Sequence, residues 1–323
     1  MIEIFAELTL LFLAILFLPF IATGLTEKIA ASKESRKSGS VWLPLKNFVN
    51  LLKSDGGLVS PPSSRSQFSV ALTVAVSLLV SCLFPWLSFR PTLAGDDIAL
   101  LLYLLVTLRL MDMLTQPSNG GSLSAPGAKQ REYLRLLTDP LVFVVLSSLG
   151  FASHSSNLSA IFELSHASTD REAIVWIFAG LSFFLFNLVY RASANHRDAL
   201  SFLEPTMKAE LDFKETSGKN VALKGYAQML QSVVCYGASV QCLLHALTRF
   251  VAFQYWLFAL ASVVGILLFA ILTGLLESEE SPASSLRTRS IIVFALLLSL
   301  GTAASALAVM DTNFSRLPKS TSL

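Results

Sequence analysis

The chain has 323 residues, of which 53% are apolar and 14% are charged. Because soluble domains carry roughly 25% charged residues, this composition excludes an ordinary soluble globular protein. The formal net charge of +2 leaves no basic surplus for phosphate contacts, which excludes nucleic acid as a partner.

Apolar stretches recur along the whole chain, and each is about as long as the roughly 20 residues that a helix needs to cross a bilayer. They predict an all-α, polytopic membrane protein that forms a single transmembrane domain over residues 1–323. The first stretch begins with the acidic segment MIEIFAE, which is untypical of a signal peptide, so we predict a retained helix. The eight predicted spans lie near residues 4–25, 68–89, 98–115, 136–152, 173–190, 221–247, 251–276 and 290–310.

The distribution of Lys and Arg predicts the orientation, because basic residues in short loops stay on the cytoplasmic side. With both termini outside, the cytoplasmic loops hold 17 of the 24 basic residues and the outside holds five. We therefore predict both termini outside. The predicted cytoplasmic loops are 26–66, 116–135, 191–220 and 277–289.

The first of these loops contains the segment VWLPLKNFVNLLK at residues 41–53, whose apolar residues recur at helical spacing. These apolar residues are Trp42, Leu45, Phe48, Val49 and Leu52. The segment predicts an amphipathic helix in the membrane interface that ends before Asp55-Gly56-Gly57. A plain surface anchor with no further role would show the same pattern.

Ionisable residues near the spans are candidates for function, because a charge inside the bilayer is costly. Arg109 and Asp112 lie about one turn apart at the end of the third span, where an ion pair that ends the span explains them equally well. Asp139 opens the fourth span, Lys224 lies at the start of the sixth and His245 lies near the outer end of the sixth.

The cysteines and histidines are scattered and show neither C-x-x-C nor H-x-x-x-H spacing. They are Cys82, Cys235, Cys242, His154, His166, His196 and His245. We therefore expect no metal site, no iron–sulfur cluster and no catalytic centre on this chain, and assign any redox chemistry to a partner.

The loop 191–220 carries five acids beside five bases, whereas a cytoplasmic loop between spans usually has a basic surplus. Its acids are Asp198, Glu204, Glu210, Asp212 and Glu215. Pro205 suits the start of a helix and Ser217-Gly218 suits its end. On such a helix Glu204 and Glu215 share a face, although a plain solvated helix would look similar.

The segment LEPTMKAELDFKETSGKNVALKGYAQML at 203–230 resembles the cytoplasmic loop and following helix of the subunit-1 family of complex I and its hydrogenase relatives. The resemblance is closest to the membrane subunit of formate hydrogenlyase and group 4 nickel–iron hydrogenases. The matching positions are Leu203-Glu204, Thr206-Met207, Glu210, Glu215, Ser217-Gly218, Ala222-Leu223 and Tyr226-Ala227.

A second segment, GAKQREYLRLLTDP at 127–140, resembles the family's Gly-Ala-x-Arg-Glu stretch and the acid-proline pair that follows it. It carries Arg131, Glu132, Asp139 and Pro140 in the corresponding order. The amphipathic segment and the eight spans with outside termini also resemble the family's plan. The chain departs from the pattern at Thr216, where the family usually has tyrosine.

The resemblance implies a non-catalytic membrane subunit of an oxidoreductase complex in a bacterial or archaeal cytoplasmic membrane. Such a subunit docks a peripheral electron-transfer arm on the cytoplasmic side, contacts antiporter-like membrane subunits and links redox chemistry to proton or ion movement. A nickel–iron centre and iron–sulfur clusters belong to the partner subunits, and a quinone is a candidate ligand. The implied proton-coupling residues are Glu204, Glu210, Glu215 and Asp139. The charge-partner or docking candidates are Arg131, Glu132, Asp198, Lys224, Arg109 and Asp112.

Two alternatives stay open. The first is a quinone-binding subunit of a complex I-type NADH:quinone oxidoreductase. The second is an independent, proton-coupled secondary transporter, although no internal repeat of the kind common in transporters is evident.

Overall fold

The computed structural model describes residues 2–33, 39–53, 64–84, 97–114, 140–164, 170–195, 218–248, 255–277 and 284–315. Within these ranges the chain is helical, which confirms the predicted all-α class. In the described residues, one isolated antiparallel β-bridge connects Asp97 and Asn157.

Each of the eight predicted apolar stretches falls on a helix, and the predicted amphipathic segment forms α2. The helices are α1 (Ile2–Lys33), α2 (Leu43–Lys53), α3 (Ser64–Leu83), α4 (Ile98–Leu114), α5 (Pro140–Ser153), α6 (Leu158–Leu164), α7 (Asp170–Asn195), α8 (Gly218–Thr248), α9 (Tyr255–Glu277) and α10 (Ser284–Ser315). Helices α1, α7 and α8 continue past the predicted spans into the predicted loops, because a helix need not end at the membrane surface. The short helix α6 was not predicted.

Four of the helices contain stretches that are long and apolar enough to cross a membrane, judged by length and composition. These stretches are Thr9–Lys33, Glu172–Val189, Lys219–Leu247 and Leu257–Leu276. Shorter apolar stretches of 10–17 residues occupy α3, α4, α5 and α10. This pattern supports a membrane protein.

Helix α8 is the central element of the fold, since it packs against α1, α2, α3, α7 and α9. In its most apolar window 78% of the residues are buried, compared with 28% for α9. Helix α9 leaves the large side chains Leu257, Leu260, Val264 and Leu268 exposed along one face. The buried polar side chains of α8, such as Ser232, Ser239 and Gln241, therefore face protein, whereas the outer face of α9 is suited to lipid or to another apolar surface.

Buried hydroxyl groups are common in these helices, and most donate to the carbonyl oxygen one turn earlier in the same helix. Thr73 Oγ1 donates to Ser69 O at 2.8 Å, and Ser77 Oγ donates to Thr73 O at 2.8 Å. Because a polar group without a partner is costly away from water, such local bonds let serine and threonine occupy the core of an apolar bundle.

Small residues allow the helices to approach each other closely. At Gly274 of α9, an added Cβ would stand 2.7 Å from the backbone oxygen of Thr26 in α1. Thr26 Oγ1 in turn donates to Ala270 O of α9 at 3.1 Å, and Lys33 Nζ donates to Leu275 O at 3.2 Å. The end of α1 is therefore fixed against α9.

The amphipathic helix α2 packs against protein rather than serving as a plain surface anchor. It contacts both α8 and α1. Leu45 and Phe48 pack against the buried core, whereas Trp42 and Val49 are 52% and 38% exposed. The predicted apolar face is thus divided, with one part against the helical bundle and the other part free to contact the membrane interface.

Candidate functional site

A cavity of about 310 Å³ lies where the ends of α1 and α7 meet the beginning of α8 and the whole of α2. This volume is near the lower end of the range for small-molecule sites, roughly 300–1,000 Å³. The distribution of Lys and Arg predicts that these four segments lie on the same, cytoplasmic side, and the structure brings them together. The walls of the cavity are formed by Thr23, Glu27, Pro44, Asn47, Phe48, Leu51, Arg191, Val221, Ala222, Gly225, Gln228, Met229 and Ser232.

The cavity wall combines apolar surface with a few polar groups, as small-molecule sites generally do. Glu27 and Arg191 supply opposite charges from α1 and α7, and Asn47 and Gln228 supply amide groups from α2 and α8. Such a wall can hold a flat, largely apolar molecule by its faces and orient its polar substituents through hydrogen bonds.

An aromatic cluster of Phe20, Phe48 and Tyr226 joins three of the four helices around the cavity, α1, α2 and α8. The ring centroids are 5.2 Å apart for Phe20 and Phe48, 5.6 Å for Phe20 and Tyr226, and 5.9 Å for Phe48 and Tyr226. These separations are in the range of favourable aromatic pairs. The Tyr226 hydroxyl donates to Ile15 O at 3.1 Å. The cluster therefore positions α2 as a fixed wall of the cavity.

The cavity reaches from the exposed Glu27 to the buried Ser232 in α8. Next to Ser232, Asn187 of α7 is fully buried, and its Nδ2 donates to Ser232 O at 3.2 Å. The Asn187 Oδ1 has no hydrogen-bond partner in the described part of the chain. Polar groups thus continue from the cavity into the interface between α7 and α8.

The helix ends on either side of the predicted acidic loop lie beside this cavity. Helix α7 ends at Asn195, four residues after the cavity residue Arg191. Helix α8 begins at Gly218, three residues before the cavity residue Val221. Both attachment points of the loop with the predicted coupling acids therefore lie at the cavity.

Most of the predicted site residues themselves lie outside the described residues. These are Glu204, Glu210, Glu215, Asp139, Arg131, Glu132 and Asp198. Lys224 lies in α8, partly buried and next to the cavity residue Gly225. Arg109 and Asp112 lie near the end of α4, which packs against α3.

Glu27 and Arg191 are the charged cavity residues that the sequence analysis did not select. Each follows the end of a predicted span, where a charge is ordinary. The sequence alone did not indicate that Glu27 and Arg191 belong to one site. They line the same cavity only because α1 and α7 both pack against α8.

Among the described residues, no group of three or more His, Cys, Asp or Glu side chains could hold a metal ion. The cysteines Cys82, Cys235 and Cys242 are free thiols.

Neither a protein-family model nor a curated protein sequence matches this chain. Thirty-four chains from solved structures match its fold. One of them belongs to the membrane-bound sulfane sulfur reductase, an archaeal respiratory membrane complex. It has a TM-score of 0.62 at 15% sequence identity, and the match covers 94% of this chain and 99% of that chain. The two chains therefore share a fold over nearly their whole lengths.

Proposed function

We propose that this chain is the membrane anchor and coupling subunit of a complex I-related respiratory or hydrogenase complex. In this role it docks a peripheral electron-transfer arm and links redox chemistry to proton or ion translocation. All eight apolar helices then cross the cytoplasmic membrane of a bacterium or archaeon, with both termini outside.

The observation that carries the proposal is the position of the two helix ends, Asn195 of α7 and Gly218 of α8, between which the acidic loop runs in the sequence. Its two attachment points flank a cavity that also contains Glu27 and Arg191. A peripheral arm that contacts the loop would therefore act on a small, partly charged chamber at the end of the helical bundle. The fold shared with a chain of a respiratory membrane complex supports the same function.

The proposal assigns the cofactors to partners. A nickel–iron centre and iron–sulfur clusters would reside in the peripheral arm, and antiporter-like subunits would adjoin the bundle in the membrane. Formate hydrogenlyase and the group 4 hydrogenases are the members of this class that the sequence resembles most. The coupling acids of this chain would be Glu204, Glu210, Glu215 and Asp139, with Arg131, Glu132, Asp198, Lys224, Arg109 and Asp112 as charge partners or docking residues.

A second candidate function, quinone binding, is favoured by the cavity itself. Phe48, Leu51 and Met229 offer apolar contacts to a ring, and Asn47 and Gln228 offer hydrogen-bond donors to ring oxygens. A quinone accepts electrons when bound, and this chain would contribute only binding and orientation.

Activity of the purified complex separates the two functions. Hydrogen evolution from a low-potential donor in the absence of quinone would favour the hydrogenase-type function. A strict requirement for quinone would favour the quinone-binding function. Ion transport by the isolated chain in proteoliposomes would contradict both and favour an independent transporter.

Replacement of Glu210 by glutamine removes a charge from the acidic loop with almost no change in size. If Glu210 transfers or relays protons, the rate of redox-driven proton movement should fall on the order of 100-fold, the lower end of the rate contribution of a positioned proton-transfer group. Assembly should be retained. The measurement is redox-driven acidification in proteoliposomes that contain the whole complex.

The matched control is Glu163→Gln, since Glu163 lies in α6, between the predicted fourth and fifth spans and away from the acidic loop. Unchanged proton movement in a fully assembled Glu210→Gln complex would contradict the coupling role. Loss of assembly in the variant would show instead that Glu210 docks the peripheral arm.

A further inference from the structure

Four residues of the amphipathic segment form a stripe on the side of α2 that faces away from the helical bundle. They are Trp42, Lys46, Val49 and Lys53, and all four are exposed. The bond from Lys46 N to Trp42 O at 3.0 Å places Trp42 on the first turn of the helix. At about 100° per residue, the directions of the four side chains around the helix axis fall within about 60°. We call this surface the α2 stripe.

The α2 stripe lies on the opposite side of the helix from the cavity. The cavity residues of α2 are Pro44, Asn47, Phe48 and Leu51. By the same helical geometry, their mean direction is about 180° from that of the stripe. Pro44 is buried, and Phe48 packs against the core. Helix α2 therefore separates the cavity from the stripe, and the stripe is a second, independent surface.

The side chains of the stripe suit the boundary between hydrocarbon and water. The indole of Trp42 is typical of this boundary, because it combines a large apolar ring with one polar N–H group. The stems of Lys46 and Lys53 can lie along apolar surface while their ammonium groups reach the polar layer. The order Trp-Lys-Val-Lys along the helix therefore fits a surface where acyl chains meet charged headgroups.

The charge of the stripe is entirely positive. The described segment 39–53 contains Lys46 and Lys53 and no acidic residue. The two lysines are seven residues apart, which separates them by about 10 Å along the helix axis. Lysines close to an anionic membrane surface are attracted to it, and the proposed orientation places α2 on the cytoplasmic side, where such lipids act. An acidic protein surface would match the lysines equally well, but it would offer no hydrocarbon to Trp42 and Val49.

We propose that the α2 stripe binds anionic phospholipid. Lys46 and Lys53 contact the headgroup phosphates, and Trp42 and Val49 contact the upper parts of the acyl chains. The bound lipid adjoins the part of the cavity wall that α2 forms. This inference rests on the proposed position of the chain in the membrane, and it is independent of the proposed redox role.

The test uses the full chain in phosphatidylcholine vesicles that also contain brominated phosphatidylglycerol or, in parallel, brominated phosphatidylcholine. Bromine quenches indole fluorescence only at short range, and subtraction of the spectrum of Trp42→Phe isolates the signal of Trp42. We expect brominated phosphatidylglycerol to quench Trp42 at a several-fold lower mole fraction than brominated phosphatidylcholine. Equal quenching by the two lipids, or quenching by neither, would overturn the proposal.

Substitution of the lysines identifies the groups that select the lipid. Lys46→Gln and Lys53→Gln should each reduce the preference for phosphatidylglycerol about fivefold, the factor that corresponds to one lysine near an anionic surface. The preference should also decrease as salt is added, because exposed charges are screened. The matched control, in which both lysines are replaced by arginine, keeps the charges and should keep the preference. An unchanged preference in the variant with both lysines replaced by glutamine would overturn the proposal.

Two further measurements distinguish lipid from other ligands of the same charge. Inorganic phosphate lacks acyl chains, so it should not relieve the quenching at constant ionic strength, and relief would show a site for soluble anions instead. In the complex purified through this chain, Trp42 should still be quenched by both brominated lipids. Loss of that quenching would show that a partner subunit covers the stripe. Either of these results would overturn the proposal.

Discussion

Replacement of Gly24 by alanine is expected to lower the free energy of unfolding by about 3 kcal/mol, the upper part of the usual range for overpacking. The new Cβ would stand 1.9 Å from the backbone oxygen of Val41 and 2.8 Å from its carbonyl carbon. Because backbone atoms cannot rotate away, α1 and the segment before α2 must separate. The measurement is thermal unfolding of the detergent-solubilised protein, together with the yield of assembled complex.

Gly225→Ala is the matched control for this experiment. Gly225 also lies in a helix, but an added Cβ there meets no atom within 4 Å. Its stability should be unchanged or slightly higher, since alanine favours a helix over glycine by about 1 kcal/mol. Equal stability of the Gly24→Ala and Gly225→Ala variants would contradict the close packing of α1 against the segment that leads to α2.

Replacement of Gly225 by tryptophan is expected to abolish most redox-coupled turnover while the complex still assembles. Gly225 lines the cavity and faces open space, so the indole would occupy part of the 310 Å³ volume rather than the helix interface. A displacement of about 1 Å at a reacting centre can cost on the order of 100-fold in rate, and we expect a loss of that order. The measurement is turnover of the purified complex with a low-potential electron donor.

The alanine variant again serves as control, because a methyl group leaves most of the cavity open. If quinone binding is the function, an intermediate substitution such as Gly225→Val should raise the KM for quinone more than it lowers kcat. Full turnover of an assembled Gly225→Trp complex would show that the cavity takes no part in the reaction.

Hydropathy was sufficient to predict the eight long apolar helices, because each apolar stretch must form its backbone hydrogen bonds internally when it leaves water. It did not predict the short helix α6. The amphipathic segment was predicted equally well, since Leu45 and Phe48 recur at helical spacing. What the pattern could not provide was the partner of that face. Phe48 packs against Phe20 and Tyr226, residues 28 positions before and 178 positions after it.

The cavity was not predictable for the same reason. Thr23, Asn47, Arg191 and Gln228 come from four separate helices, and nothing local to any one of them indicates a shared wall. His245 likewise appeared as an isolated residue at the end of a span. The backbone oxygen that its Nε2 approaches, Phe162 O, belongs to a residue 83 positions away. The acids of the loop 191–220 were selected by resemblance, and they lie outside the described residues.

The composition of the complex purified through this chain, with its metal content, tests the account most directly. Mild solubilisation and affinity purification should recover further membrane subunits and a peripheral module that contains iron–sulfur clusters, with nickel if the complex is of the hydrogenase type. Gly24→Ala should recover less of that module than Gly225→Ala, because α2 forms part of the cavity end of the bundle. Recovery of this chain as a stable species with no redox partner and no associated metal would contradict the account.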